Sequence, residues 1–288
     1  MGESEVQGQG KLLSDPASIE ADLKTLVEIL VELGKECDET AVGSSDPGRH
    51  NAVGFAFKLS RHVASALTLI RTRSSLSAED KRFLDPASLL VLARAGWETF
   101  LLFHHIFIDA ADESERAMRH RRWLIEGVRS RQSYEVLDRE QERQKKEELD
   151  LIRAWEDEIR GNPAFRRLGP GRKKSFLEGK WWHAGWRGLA ARARISKQFG
   201  CDAYSHLCDH AHSGPFSIVG QGDDDDPERV QGLRLTVAGI LAVAVANTIA
   251  GLEVLFPGCG THVGSLQNGL VDHWVRIGQG QVPPASAE

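Results

Sequence analysis

Between Arg234 and Glu253 the chain runs for eighteen residues without a charge, LTVAGILAVAVANTIAGL. A helix that is apolar all round has two homes, the interior of a large domain or a membrane, because neither face tolerates water. The run sits at the lower edge of a spanning length. It is rich in Ala, Gly, Thr and Asn rather than Leu and Ile, and it lacks aromatic belts and a flanking Lys/Arg cluster. The expectation is a central core helix near 233–256 whose small residues permit close packing, with a membrane span disfavoured.

A buried central helix needs amphipathic partners, and the rest of the chain supplies a period of 3.6. In DPASIEADLKTLVEILVELGKE, Asp15 and Pro16 read as a helix start, and Ile19, Leu23, Leu26, Val27, Leu30 and Leu33 fall on one stripe. After turn-rich residues 43–48, RHNAVGFAFKLSRHVASALTLIRTR reads as a second helix. Asp85 and Pro86 open a third, PASLLVLARAGWETFLLFHHIFIDA. Residues 113–160 read as two helices or one bent helix ending at Gly161-Asn162-Pro163. Their middle, 138–148, is polar throughout and is expected to protrude into water or act as a hinge. Further helices are expected over 185–199, 202–212, 228–256 and part of 261–276, with GQGDDDDPE as a linker. No alternating strand pattern and no internal repeat is present, which predicts an all-α fold: one bundle-like, multi-helix domain. The expected organisation is an N-terminal helix and linker (1–48) packed on a main domain (49–276), followed by a flexible tail (277–288).

With 288 residues, 41% of them hydrophobic, the chain can build a sizeable core. Its formal charge of −5 provides no global attraction to double-stranded DNA or an anionic membrane, so any such contact needs a local patch. Cys37, Cys201, Cys208 and Cys259 form no C-x-x-C pair and suggest no disulfide framework. Together with an opening MGESEVQGQG that does not resemble a secretory signal, this predicts a cytoplasmic protein.

The chemistry concentrates in CDAYSHLCDHAHSGPF, residues 201–216. On a helix Asp202, His206 and His210 are spaced i, i+4, i+8 and share a face. Imidazole and carboxylate donors in that order suit a divalent metal, with Glu98, His105 or Asp109 as a further ligand. The bland alternative is a polar helix face, and no E-x-x-H motif supports a di-iron bundle. No cofactor is otherwise expected. His212, just before Ser-Gly-Pro, fits a helix-capping role. Arg94 and Glu98 form an i, i+4 pair in an otherwise apolar helix, where a charge is costly unless paired, so Arg94 is expected to meet Glu98 and a polar group of the helix carrying Tyr204.

RAGWE in an apolar helix, then WWHAGW at 181–186, then YSHLCDHAHSGP together resemble the bacterial family of unknown function numbered 5677, over roughly residues 50–256. The resemblance places the family's pattern on Arg94, Glu98, Trp182, Gly185, Tyr204, Cys208 and His212, with Cys208 where a serine is usual. It implies a helical domain and no established activity. Ribonucleases of the HEPN type carry an Arg followed by His after four to six residues, and no Arg and His in this chain stand at that spacing. A phosphodiester site could still be assembled from His212 as acid or base, Arg94 on a phosphate, Glu98 and Tyr204.

From Arg166 to Lys197 stand ten Lys or Arg and one acidic residue, Glu178, with Trp181, Trp182 and Trp186 among them. Cations attract phosphate and exposed aromatic rings stack on unpaired bases, so Arg172, Lys173, Lys174, Lys180, Trp182 and Arg187 outline a single-stranded RNA surface. The competing reading is a solvated basic face over buried tryptophans. Three functions fit the sequence: a binding or scaffold protein for RNA or a protein partner in bacterial stress or defence, a ribonuclease-like enzyme, and a metalloenzyme. Nothing in the sequence selects the substrate, partner or oligomeric state.

Overall fold

A computed structural model describes residues 16–42, 46–71, 85–179, 185–211, 226–260 and 265–281. Eleven α-helices are present among them: α1 (Pro16–Val42), α2 (Pro47–Arg71), α3 (Pro86–Phe103), α4 (Glu113–Gln132), α5 (Arg139–Gly161), α6 (Pro163–Arg167), α7 (Pro170–Leu177), α8 (Gly185–Arg192), α9 (Lys197–Ala211), α10 (Pro227–Leu255) and α11 (Ser265–Gly278). The only other regular elements among the described residues are a π-turn, His104–Ile108, and a short extended segment, Pro257–Gly260. The fold is all-α, as the periodicity predicts.

The uncharged run forms the middle of α10, and α1, α2, α3, α11 and the π-turn all pack on that helix. From Leu241 to Ala246 every residue is buried, so no side of the helix reaches water. Its polar residues are satisfied within the helix: Thr248 Oγ1 donates to the Ala244 carbonyl at 2.8 Å and Asn247 Nδ2 to the Val243 carbonyl at 2.8 Å. By length and composition both Pro86–Ile108 and α10 could cross a membrane, but most of the apolar window of α10 is buried inside the bundle. It is a core helix. On α1 the expected stripe holds, with Ile19, Leu23, Leu26, Leu30 and Leu33 buried and Val27 partly so. That helix packs on α2, α10 and α11, fastening the N-terminal part to the rest.

Helix starts follow local chemistry. Asp85 accepts from Ser88 N at 3.0 Å with Pro86 behind it. Asp112 and Glu115 form a reciprocal cap, Asp112 accepting from Glu115 N and Glu115 from Ala111 N. Asp138 and Gln141 repeat it at α5.

Several boundaries differ from the sequence expectation: α9 begins at Lys197 and not at 202, and α11 runs to Gly278, past the expected start of the tail at 277. The third helix does not continue as α-helix to 110; it widens into the π-turn after Phe103. The helix expected over 185–199 stops at Arg192. Arg194 adopts φ 58°, and Ile195 N donates back to the Ala190 carbonyl at 3.1 Å, the bond of a Schellman ending. Ser196 then donates its N–H to the Gly278 carbonyl at 2.8 Å and its Oγ accepts from Phe199 N, which starts α9. Residues 113–161 are two helices, and the polar stretch 138–148 forms the exposed first half of α5.

Candidate functional site

The corner built by α3, α8 and α9 gathers most of the described residues singled out in the sequence. Glycine decides how closely α9 meets α8 and how closely α3 meets the central α10: a Cβ at Gly200 would stand 3.0 Å from Ala190 Cβ, and one at Gly96 would stand 3.0 Å from Leu241 Cδ2. Beside Gly96, Trp97 is fully buried, 6.0 Å from the Phe199 ring of α9. In Arg94-Ala-Gly-Trp-Glu98 the middle is therefore packing, and the two ends face the corner.

Arg94 Nε donates to Glu98 Oε1 at 2.8 Å, and both side chains are sheltered, at 20% and 26% exposure. The bond to Glu98 raises the guanidinium pKa above its ordinary value. From α9 the Tyr204 ring lies 5.7 Å from Arg94 Cζ, within cation–π range. Burial, then the hydrogen bond to Cys208 one turn on, pushes the Tyr204 phenol up to about 12. At neutral pH Arg94 is a fixed cation whose charge is met by Glu98, and Tyr204 is a protonated phenol, so neither is a base that removes a proton. Cys208 occupies a position hydrogen-bonded to Tyr204, a role open to thiol and hydroxyl alike.

α8 closes the corner. Trp186 sits half-buried 6.1 Å from the Tyr204 ring, and Arg187 Nη2 donates to Ser205 Oγ at 3.3 Å. Gly185 opens this helix at φ +59° with open space where a Cβ would stand, so it is the backbone conformation that favours glycine there.

Of the other predicted residues, His212, Lys180 and Trp182 lie outside the described residues, as does the side chain of His210. Asp202 is exposed on α9 and accepts from Gln198 Nε2, and His206 is half-buried. Glu98 is engaged by Arg94. Among the described residues no three His, Cys, Asp or Glu side chains are placed to hold a metal ion. In the basic stretch Arg172, Lys174 and Arg187 are exposed, and Lys173 Nζ lies 5.8 Å from the Phe165 ring.

His105 and Asp109 belong to a cluster the sequence reading did not assemble. Asp109 Oδ2 takes Arg119 Nη1 at 3.0 Å and Arg192 Nη1 at 3.1 Å, with His105 Nδ1 at 3.6 Å. Arg119 also donates to the His105 carbonyl at 2.5 Å and to Glu115 at 2.6 Å. Burial opposes the Asp109 charge, yet the bonds from His105, Arg119 and Arg192 hold its carboxyl well below the usual carboxylate range. Nothing in RAMRHRR distinguishes Arg119 from the other arginines of the stretch except helical phase against a partner the sequence does not name. The cluster anchors α8, through Arg192, to the π-turn. A different concavity of about 120 Å³ lies beside Asp46, His120, Arg121 and Glu158. There Asn51 Nδ2 meets the buried His120 Nε2 at 2.8 Å.

The fold and this corner define the class: an all-helical bundle domain with a sheltered Arg–Glu–Tyr cluster beside a basic surface. No known protein family, curated protein or solved structure matches the chain.

Proposed function

We propose that this protein binds single-stranded RNA on the surface of α7, α8 and the start of α9, with the Arg94–Tyr204 corner receiving a phosphate or base at its edge. One observation carries the reading. Arg172, Arg187, Arg194 and Lys197 are exposed and form no ion pair among the described residues, while most other arginines of the fold are paired. Unpaired surface cations gain most from meeting phosphates, because counterion release drives the association. Trp186, half-exposed beside Tyr204, adds an aromatic edge on which a base could stack.

Fluorescence anisotropy with a labelled oligoribonucleotide across a salt series tests this. The expected result is binding whose log K falls linearly with log salt, by about 0.7 for each phosphate neutralised. The Arg187→Gln/Lys197→Gln variant should lower that slope by about one to two, at unchanged fold. Absence of binding at about 50 mM salt, where electrostatic association is strong, defeats the proposal.

A second reading, phosphodiester cleavage, is favoured by the meeting of Arg94, Glu98 and Tyr204. Since neither Arg94 nor Tyr204 is a base at neutral pH, His212 would carry the proton transfer. Cleavage of bound RNA by the parent, lost in His212→Ala with binding retained, is the outcome that supports it. Intact RNA after prolonged incubation with the parent removes it.

A further inference from the structure

Two thiols from distant parts of the chain meet at the far end of α1. Cys37 lies in the last turns of α1 and is fully buried, and Cys259 lies in the Pro257–Gly260 segment after α10 and is half-exposed. The two thiols are close enough to interact electrostatically. Cys259 Sγ also stands 3.4 Å from Thr40 Oγ1, one turn along from Cys37, and Gly260 N donates to Glu36 Oε2 at 2.9 Å. Glu36, Cys37 and Thr40 thus grip one short turn. Gly258 and Gly260 flank Cys259 at φ +101° and +80°, conformations that glycine alone adopts readily, and they fold the turn so that its thiol faces α1.

We propose that Cys37 and Cys259 form a reversible oxidation site, closed as an intrachain disulfide by exchange with a small-molecule disulfide such as oxidised glutathione. Cys259, which solvent reaches, gives its proton to water, and its thiolate attacks one sulfur of the small disulfide. That S–S bond breaks and the first small thiol leaves. With Cys259 now capped and uncharged beside it, the Cys37 thiol gives its proton to the Glu253 carboxylate or to water, and the Cys37 thiolate attacks Cys259 Sγ. The mixed disulfide breaks and the second small thiol leaves. Two protein thiols are oxidised and one small disulfide is reduced to two thiols, so electrons balance without another acceptor.

The order of the steps follows from the environment. Burial first, then Cys259 and the Glu36 and Glu253 carboxylates, hold the Cys37 thiol well above its ordinary pKa, so it cannot begin the exchange. Glu253 of α10, its own carboxyl raised by burial and by Asp272, interacts electrostatically with Cys37 and can take a proton. In a reducing compartment such a bond is transient, which suits sensing more than scaffolding.

The full chain is incubated with oxidised glutathione, free thiols are alkylated, and peptides are mapped by mass. The expected product is a Cys37–Cys259 cross-link with Cys201 and Cys208 alkylated, reversed by dithiothreitol. Cys37→Ser should stop at glutathione on Cys259, and Cys259→Ser should leave Cys37 unmodified. Because Cys37 is buried, folding of its variant is checked by circular dichroism; the partly exposed Cys259→Ser decides the matter if Cys37→Ser misfolds. A parent that keeps glutathione on Cys259 with Cys37 alkylated, that cross-links through Cys201 or Cys208, or that does not react overturns the proposal.

Discussion

Arg119 Nη1 lies 3.0 Å from Asp109 Oδ2 and donates to the His105 carbonyl, bridging α4 to the π-turn that ends α3. At 8% exposure the Arg119 side chain is out of water, so its charge depends on these partners. Asp109→Asn removes the countercharge and is expected to cost about 3 kcal/mol, as breaking a buried pair does. The sign of the pH dependence follows from the depressed Asp109 pKa. The unfolded carboxyl titrates near 3.9, so this contribution is complete above that value and is lost as pH falls further toward the native pKa. Urea titrations of parent and Asp109→Asn from pH 7 downward should therefore converge only below about pH 4.

His104 and His120 act over a different window. Burial lowers both to about 4, and their unfolded value lies near 6.5. Between these values the unfolded chain binds protons that the folded chain refuses, so stability is full above about 6.5 and falls as pH falls toward 4. Each histidine adds about 1.4 kcal/mol per pH unit to that slope. His120→Gln should flatten the measured slope by about one proton, because glutamine does not titrate there. An unchanged slope would place the titration elsewhere.

Glycine-to-alanine changes in two helices should have opposite signs. A Cβ at Gly251 of α10 would stand 2.7 Å from Phe103 Cε1 and 3.2 Å from Ile108, inside the core. Gly251→Ala is expected to destabilise by about 1–3 kcal/mol through overpacking. At Gly127 of α4, exposed to solvent, nothing lies within 4 Å of the built Cβ. Gly127→Ala should stabilise by about 0.5–1 kcal/mol through reduced backbone entropy in the unfolded chain. Thermal midpoints moving in the same direction for both would refute the packing account.

Arg94 and Tyr204 should be energetically coupled. With the guanidinium 5.7 Å from the ring centroid, a double-mutant cycle of Arg94→Met and Tyr204→Leu should return about 0.5–1 kcal/mol. Arg94→Lys should not restore the interaction fully, because the lysine ammonium is a single point of charge and lacks the planar guanidinium that bonds Glu98 through Nε while standing near the ring. A coupling energy near zero would mean that the corner is held by α8 and α9 packing alone.

Much of the architecture was legible because it is written in local terms. Eighteen uncharged residues leave a helix with no polar face, and the Ile19 to Leu33 stripe leaves α1 with one apolar face; each dictates burial without reference to any other part of the chain. The helix start at Asp85 is equally local, a side chain reaching its own first turn. The expectation that Arg94 would meet Glu98 and the Tyr204 helix rested on the cost of a lone charge among apolar residues, and that cost operates wherever the helix packs.

The tertiary structure decided what depends on which helices meet. The break between α8 and α9 has a local ending at Arg194, but Ser196 is also held by the Gly278 carbonyl of α11, a contact that no window around 190–200 contains. His105 and Asp109 stood in the sequence as metal-ligand candidates, but packing α4 against the π-turn places Arg119 beside them and makes them an ion cluster. Cys37 and Cys259, unremarkable by spacing, became neighbours only when the turn after α10 folded onto α1. The sequence determined which surfaces had to leave water, because hydrophobicity and helical phase are properties of a segment. The partners of individual charges and thiols came from tertiary packing, because such contacts act over a few ångströms between residues the chain keeps far apart.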